Sequence, residues 1–526
     1  MTISNPESFG PERGLKRQKL SFMLFAIAMV ASPFLFVRFV PATDLPQHLA
    51  QIRLFIDTLQ GKSDAMYSIS WWGVNSLVYV LLGIDWSIFS PIVAGNVLMM
   101  ELAVAWVISV FVLSNRKNRP VETALLASMF VLTASFYWGF VNFLLGWPVF
   151  VAWYLLVVDR VDDQSPAKRI LTILLLSILL LLAHALWLAV GLLVLAISDI
   201  RHRAGGKVLA LQAASVLPTL AYSLVWYQRI SGQRLSLTFD TAAHWKYLPW
   251  ERLNPAWILD ASFGGVRGPI EAVVLLGVVA WVVASLYTHR GNLKSLIDRN
   301  LLWSAALLGA IVFLAPDKFL NTILFASRWM PPAIVLLLIA LPAPKIPDVA
   351  RISFAAVLVV ILSVSTALRW YQFDRDENSG LAASLKAVPA HASVLGLDFV
   401  KESAAVCANP FIQTAAYAQV LQGGKLGFSF AEHQSGIVVT DSVGEWTPGL
   451  EWLSELVTFE DLAHFDCALV NATDDVHRYL SRLPALRLVT TRGRWRLYKC
   501  TGDLELKGSV FAPLERSDNP PRAHGD

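Results

Sequence analysis

The 526-residue chain is 55% hydrophobic and 16% charged, well below the roughly 25% charged residues of soluble proteins, which excludes a soluble globular domain and points to a polytopic membrane protein. A net charge of +4 argues against a nucleic-acid partner, which needs a concentrated basic surface. The three cysteines, Cys407, Cys467 and Cys500, all lie in the last quarter. They allow at most one intrachain disulfide, and their spacing matches no metal-binding motif.

In chain order, residues 20–40 form the first apolar run, too long for a signal-peptide core and without a small-residue cleavage site, and are read as a retained anchor. Directly after it stands Pro41-Ala-Thr-Asp44-Leu-Pro-Gln-His48. Asp44 and His48 are four apart and share one face of a helix. Two readings stand side by side: an acid/base or ion-binding pair at the water–lipid boundary, or Thr43 or Asp44 capping a helix over 45–59. Further runs near the length of a helical span follow at 88–113, 121–136, 143–158, 208–226, 269–287, 301–314, 329–341 and 352–368. Residues 170–200 would make a helix of about 46 Å, too long for one upright span, and 66–84 is apolar but carries Ser, Asn and paired Trp.

Basic clusters at 13–19, 116–119, 168–169, 201–207, 289–294 and 345–351 belong in the cytoplasm by the positive-inside rule. That requires 66–84 to lie at the outer interface and 170–200 to fold as two short helices meeting near His184. The result is about eleven crossings, a cytoplasmic tail over 1–19, a membrane module over 20–370 and an extracytoplasmic C-terminus. Two outer loops, 41–87 and 228–268, belong to the module; the second carries Arg229, Arg234, Lys246, Arg252 and Arg267 against the rule, which weakens in long loops.

Residues 371–514 read as a small α/β domain. Strands are expected at 392–399 and 467–470, a helix at 410–421, and a hairpin over 486–499 turning at Arg492-Gly-Arg494. The charged, proline-containing tail 515–526 is expected to be disordered. Asn471-Ala-Thr473 matches a glycosylation sequon.

Polar groups at membrane depth are costly and mark a pathway or site. With this topology the outer helix ends collect Asp44 and His48, Tyr137 to Asn142, His184 and Trp187, Asp317 and Lys318, and Arg328, with Asp240, His244 and Lys246 in the long loop. Each has a plainer reading as well. Arg328 either snorkels to the interface or offers its fork to a phosphate. His184 packs in its hairpin, or faces a cavity. Tyr137 to Asn142 is a tight aromatic turn bending at Gly139, or Asn142 bonds a substrate hydroxyl. Glu101 is the acid expected near the bilayer centre, either bonded to a neighbouring helix or lining a cavity floor.

The order of these features resembles the GT-C class of membrane glycosyltransferases, such as the protein O-mannosyltransferases and aminoarabinose transferases. It is carried by Asp44 with Leu45-Pro46-Gln47-His48, by the helix start Arg328-Trp-Met-Pro331, and by the layout of spans, outer loop and C-terminal domain. The resemblance implies a GT-C-like bundle and transfer of a sugar from a polyprenyl-phosphate donor to an extracytoplasmic lipid, glycan or protein, in a bacterial inner membrane. It implies a catalytic Asp44, as general base toward the acceptor hydroxyl or as the residue that holds a metal or orients the acceptor, with His48 polarising it or binding the acceptor. Arg328 with Lys318 would neutralise the lipid phosphate, and Tyr137, Asn142, His184 and Asp317 would contact substrate. A divalent cation, Mg or Mn, is a possible cofactor by the same likeness; the second acid many members carry between the third and fourth spans is missing here. The competing classes are a transporter or flippase of a lipid-linked or anionic substrate, and a non-catalytic scaffold.

Overall fold

The computed structural model describes residues 11–71, 73–159, 165–231, 242–433, 436–440, 442, 444–502 and 506–511. Asp240, Arg234 and the tail 515–526 lie outside them. The membrane half opens with α1 (Pro11–Ala31), which tightens into a 3-10 turn ending at Phe36, followed by α2 (Leu45–Leu59), strand β1 (Tyr67–Ile69) and α3 (Leu77–Ile88). Then come α4 (Pro91–Arg116), α5 (Val121–Ser128), α6 (Ala134–Tyr137) and α7 (Val141–Trp153). The hairpin is α8 (Pro166–Ala183) and α9 (Ala185–His202), and α10 (Gly206–Ser231), α11 (Pro255–Ser262) and α12 (Ile270–Thr288) follow. A short α13 (Leu293–Leu296) leads to α14 (Arg299–Leu314), α15 (Met330–Ala340) and α16 (Asp348–Gln372). The C-terminal part holds α17 (Leu381–Ala387), β2 (Ser393–Asp398), α18 (Ala416–Gln422), β3 (Lys425–Leu426), β4 (Val438–Thr440), α19 (Phe459–Ala463), β5 (Cys467–Asn471), α20 (Asp474–Leu480), β6 (Leu486–Leu488) and β7 (Trp495–Cys500).

The long apolar runs of the sequence become helical, but 121–136 is broken at Leu132 and Thr133 into α5, a 3-10 turn and α6. Among the described residues eight are long and apolar enough to cross a membrane, and Leu77–Ile88, Val121–Tyr137, Arg299–Leu314 and Ser327–Ala340 are shorter apolar helices. Local chemistry sets the boundaries. Pro91, Pro166 and the pair Pro331-Pro332 sit in first turns, where a missing N–H costs nothing. His184 adopts an extended backbone, φ −167°, and divides 170–200 into two helices where the sequence placed the break. Leu217 and Leu224 on α10 and Leu276 and Val283 on α12 are exposed, as a lipid-facing surface requires.

One end of the bundle is fastened by charges. Lys117 bridges Asp159 at 2.5 Å and Asp298 at 2.9 Å, the Arg119 guanidinium donates to the carbonyl oxygens of Ile339, Ala340 and Leu296, and Arg351 pairs with buried Glu122. These residues come from the loops that the charge pattern assigned to the cytoplasm. Asp44, Asn142, His184 and Arg328 lie at the opposite helix ends. Glu101 is exposed on α4, so it does not line an interior cavity floor.

The C-terminal sheet runs β3-β2-β5-β7-β6. β2 pairs in parallel with β3 and β5, and β7 is antiparallel to β5 and β6. This is the α/β unit read from the sequence, with the hairpin turning at Gly493; the helix expected over 410–421 begins only at Ala416. Alternation puts Cys467 on one face of the sheet, with Leu469 and Leu497, and Cys500 on the other, with Ala468 and Tyr498. The two thiols therefore cannot bridge without turning a strand over, and all three cysteines are free. The sequon Asn471 is fully buried, donating to Asp398 Oδ1 at 2.8 Å and accepting from Arg494 Nε at 2.9 Å.

This region is laced to the first outer loop. Strands β1 and β4, from residues 67–69 and 438–440, pair antiparallel. The Gln47 amide donates to Gln413 Oε1 and the Phe428 carbonyl and accepts from the Phe430 N–H. Gln51 Oε1 accepts from the Val438 N–H.

Candidate active site

The site begins with how Asp44 is held. The N–H groups of Thr43 and Asp44 donate to the carbonyl oxygens of Tyr137 and Trp138, at 2.9 and 3.0 Å. Gly139 follows with φ +73°, and a Cβ there would stand 2.9 Å from the Asp44 nitrogen. Only glycine allows both that backbone angle and that approach. Asp44 occupies the cap position of α2 but makes no capping bond, and the Thr43 hydroxyl turns to the carbonyls of Tyr137 and Asn409. The capping reading therefore fails for both residues, and the carboxylate makes no hydrogen bond among the described residues. Burial pushes that carboxyl up to about 8, against the pull of the Arg328 guanidinium.

Arg328, 5% exposed, lies in the 3-10 turn Ser327–Trp329 that leads into α15. Its Nε donates to the Leu324 carbonyl at 3.2 Å and its Nη2 to that of Ile323. The guanidinium lies over the rings of Phe140, at 4.5 Å, and Phe143, at 5.3 Å, a cation–π arrangement that fixes its plane. This is a buried, oriented cation, so the snorkelling reading is set aside. The same segment, 137–143, holds the backbone of Asp44 and stacks on Arg328, so one turn positions both charges.

His48 lies one turn beyond Asp44, as the spacing required, but its Nδ1 pairs with the Tyr79 hydroxyl at 2.9 Å. Burial pushes its imidazole down to about 4, so at neutral pH it is uncharged. Tyr79 also lies in the field of the Asp44 carboxylate. The His184 ring meets Phe143 edge-on at 5.7 Å within the field of Arg328, while its Nδ1 accepts from the Leu186 N–H. Asn142 is half-buried on the first turn of α7, and its Oδ1 has no partner among the described residues.

Other expected residues are placed differently. Tyr137 is fully buried and its hydroxyl accepts from Trp370 Nε1 at 3.2 Å, so its side chain anchors the turn to α16. Asp317 Oδ2 binds the Arg252 guanidinium at 2.8 Å and the N–H groups of Lys246 and Tyr247. Arg252 is itself fully buried and donates to the carbonyls of Val312 and Ala315, which makes Asp317 its counter-ion. Lys318 and His244 form a backbone bridge.

Sequence reasoning missed Tyr79, Phe140 and Phe143, and two contacts from the C-terminal region: Phe430 packs edge-on to His48 at 5.4 Å and Trp452 stacks on Trp138 at 6.3 Å. Phe140 lay inside the turn that was singled out; nothing in the sequence links Phe430 or Trp452 to a loop some 300–400 residues earlier.

The described residues do not gather a set for a divalent cation. Mg or Mn takes about six oxygen-rich ligands, whereas Asp44 faces a guanidinium, and no group of three His, Cys, Asp or Glu side chains converges among the described residues.

No protein-family model matches the sequence, and no curated protein matches it. Among solved structures, the chain resembles ArnT from Cupriavidus metallidurans in the apo state, with a TM-score of 0.56 and 11% identity over 93% of this chain and 99% of that one. It also resembles the arabinofuranosyltransferase AftD from Mycobacteria, with a TM-score of 0.51 and 16% identity over 92% of this chain and 41% of that one. The fold is thus of the GT-C type, a polytopic helical bundle with a small C-terminal α/β region.

Proposed function

We propose that the chain is a membrane glycosyltransferase that moves a sugar from a polyprenyl-phosphate donor to a hydroxyl acceptor on the extracytoplasmic side, with the C-terminal region on that side. The observation that carries this reading is the pair Asp44 and Arg328, held by one aromatic turn in a half-buried site of a GT-C fold.

In the reaction the acceptor oxygen forms a bond to the anomeric carbon as the bond from that carbon to the phosphate oxygen breaks. Asp44 takes the acceptor proton. A base is most effective when its pKa lies near the working pH, and a carboxyl near 8 is such a base. The lipid phosphate leaves with the bonding electrons, and Arg328 neutralises the charge that appears there. A cation already oriented by Phe140 and Phe143 needs little reorganisation as that charge develops. His48 and Tyr79 act by holding the wall beside Asp44, and Asn142 Oδ1 accepts from a substrate hydroxyl. No step passes through a metal ion.

The test uses full-length protein in lipid nanodiscs with polyprenyl-phosphate-linked mannose, arabinose and aminoarabinose as donors, reading release of free polyprenyl phosphate. Asp44→Asn is expected to lower release by about 10²–10⁴-fold while donor is still retained; Arg328→Ala is expected to lose both. Release that Asp44→Asn leaves unchanged, or movement of intact donor across the bilayer without release, overturns the proposal.

A further inference from the structure

The Asp44 carboxylate makes no hydrogen bond among the described residues, so the helix that carries it decides where it points. That helix, α2, has two polar faces side by side. Asp44 and His48 form one; Thr43, Gln47 and Gln51, again spaced by four, form the other. These three are 1%, 2% and 1% exposed, and each is bonded to the C-terminal region.

The bonds run along the whole of that face. The Thr43 hydroxyl lies 3.2 Å from the carbonyl oxygens of both Asn409 and Tyr137, so it meets the C-terminal region and the turn that holds the Asp44 backbone. Gln47 Nε2 donates to Gln413 Oε1 at 2.9 Å and to the Phe428 carbonyl at 3.1 Å, while its Oε1 accepts from the Phe430 N–H at 3.1 Å. Gln51 Oε1 accepts from the Val438 N–H at 2.9 Å. Gly436 makes room for this last contact, since a Cβ there would stand 2.4 Å from Gln51 Oε1. The same region also reaches the turn directly: Trp452 stacks on Trp138, whose carbonyl accepts the Asp44 N–H.

Apolar contacts are non-directional and would let a helix turn or slide against its neighbour. Buried amides do not, because a small rotation leaves donors and acceptors unmet; a satisfied buried network specifies one arrangement. Misplacing a catalytic group by about 1 Å can cost about 10²-fold in rate, so the rotation of α2 matters to the chemistry. We propose that the C-terminal region is a positioning part of the active site: its bonds to Thr43, Gln47 and Gln51 set the rotation of α2 and with it the direction of the Asp44 carboxylate. This rests on the transferase reading above. The three side chains act through Asp44 and are positioning residues.

The test measures kcat and donor KM for polyprenyl phosphate release by full-length protein in nanodiscs, together with Tm. Gln47→Leu is expected to lower kcat by about 10–10²-fold with KM within about twofold of the parent. Gln413→Leu, altered on the C-terminal side, should lower kcat about fivefold, the effect of one lost hydrogen bond. The double variant should be no slower than Gln47→Leu, because both changes remove the same bond. A merely structural role would lower Tm and leave the kcat of folded protein unchanged. Thr43→Val deletes one hydroxyl and keeps the shape; its expected loss, also about fivefold, decides the matter where the glutamine variants do not fold. The parent's kcat in any of these folded proteins, a loss confined to KM, or losses that multiply in the double variant overturns the proposal. If Asp44→Asn is silent while these variants keep the parent's rate, this inference alone fails; if Asp44→Asn itself keeps that rate, the transferase reading fails and takes this inference with it.

Discussion

The Asp44 N–H donates to the carbonyl of Trp138 across 3.0 Å, and Gly139 closes against that bond from the other side. Gly139→Ala would force a side chain into a left-handed angle, at about 1–2 kcal/mol, and push a Cβ onto the Asp44 backbone. The expected result is at least a tenfold loss of sugar release, about 1.4 kcal/mol of transition-state stabilisation, with the protein still folded by gel filtration. Unchanged release would show that the turn does not set the Asp44 geometry.

A base must be deprotonated to work, so the rate of sugar release should climb with pH and level off above about 8, the value to which burial brings Asp44. Arg328 pulls that value down. Arg328→Gln should therefore shift the limb to higher pH as well as lower the plateau, whereas Arg328→Lys should keep the limb nearer its place. A pH–rate profile of the three proteins decides this; a limb that stays fixed in Arg328→Gln removes the coupling.

The same raised value has a consequence for stability. Between about 3.9, the unfolded value, and about 8, the folded chain holds a proton on Asp44 that the unfolded chain has released. Stability contributed by this group is therefore present at low pH and falls as pH rises through that window. Asp44→Asn removes the dependence. Its Tm should exceed that of the parent at pH 8 by several degrees, with the gap closing toward pH 5; a gap that does not change with pH would place the origin elsewhere.

Asp317 was expected at the substrate, yet its partner is the fully buried Arg252. Removing one member of such a pair leaves a buried charge and costs about 3–5 kcal/mol. Asp317→Asn should thus lower yield and Tm sharply, and the double variant Asp317→Asn with Arg252→Met should recover much of the loss. A folded Asp317→Asn protein with normal Tm and a raised KM for donor would restore the substrate role.

Much of the architecture was legible in the chain because its causes are local. Spans follow from runs of apolar residues, the division at His184 from a run too long for one upright helix, and the C-terminal strands and hairpin from β-rich segments bounded by Gly and Pro. The Asp44–His48 spacing correctly set them one turn apart. Sequence spacing could not say what each would touch: His48 turned to Tyr79, Tyr137 to Trp370, and Asp317 to Arg252, because partners are chosen by packing between segments far apart in the chain.

Composition and charge order determined that this is a helical membrane protein with an acid at its first exit and a small α/β region at its end, since hydrophobic length and local propensity act over tens of residues or fewer. Only the tertiary structure decided that Asp44 and Arg328, 284 positions apart in the sequence, share one electrostatic environment and that β4 reaches back to pair with β1. Burial and Coulomb fields depend on distance through space, and that distance is set when the helices pack.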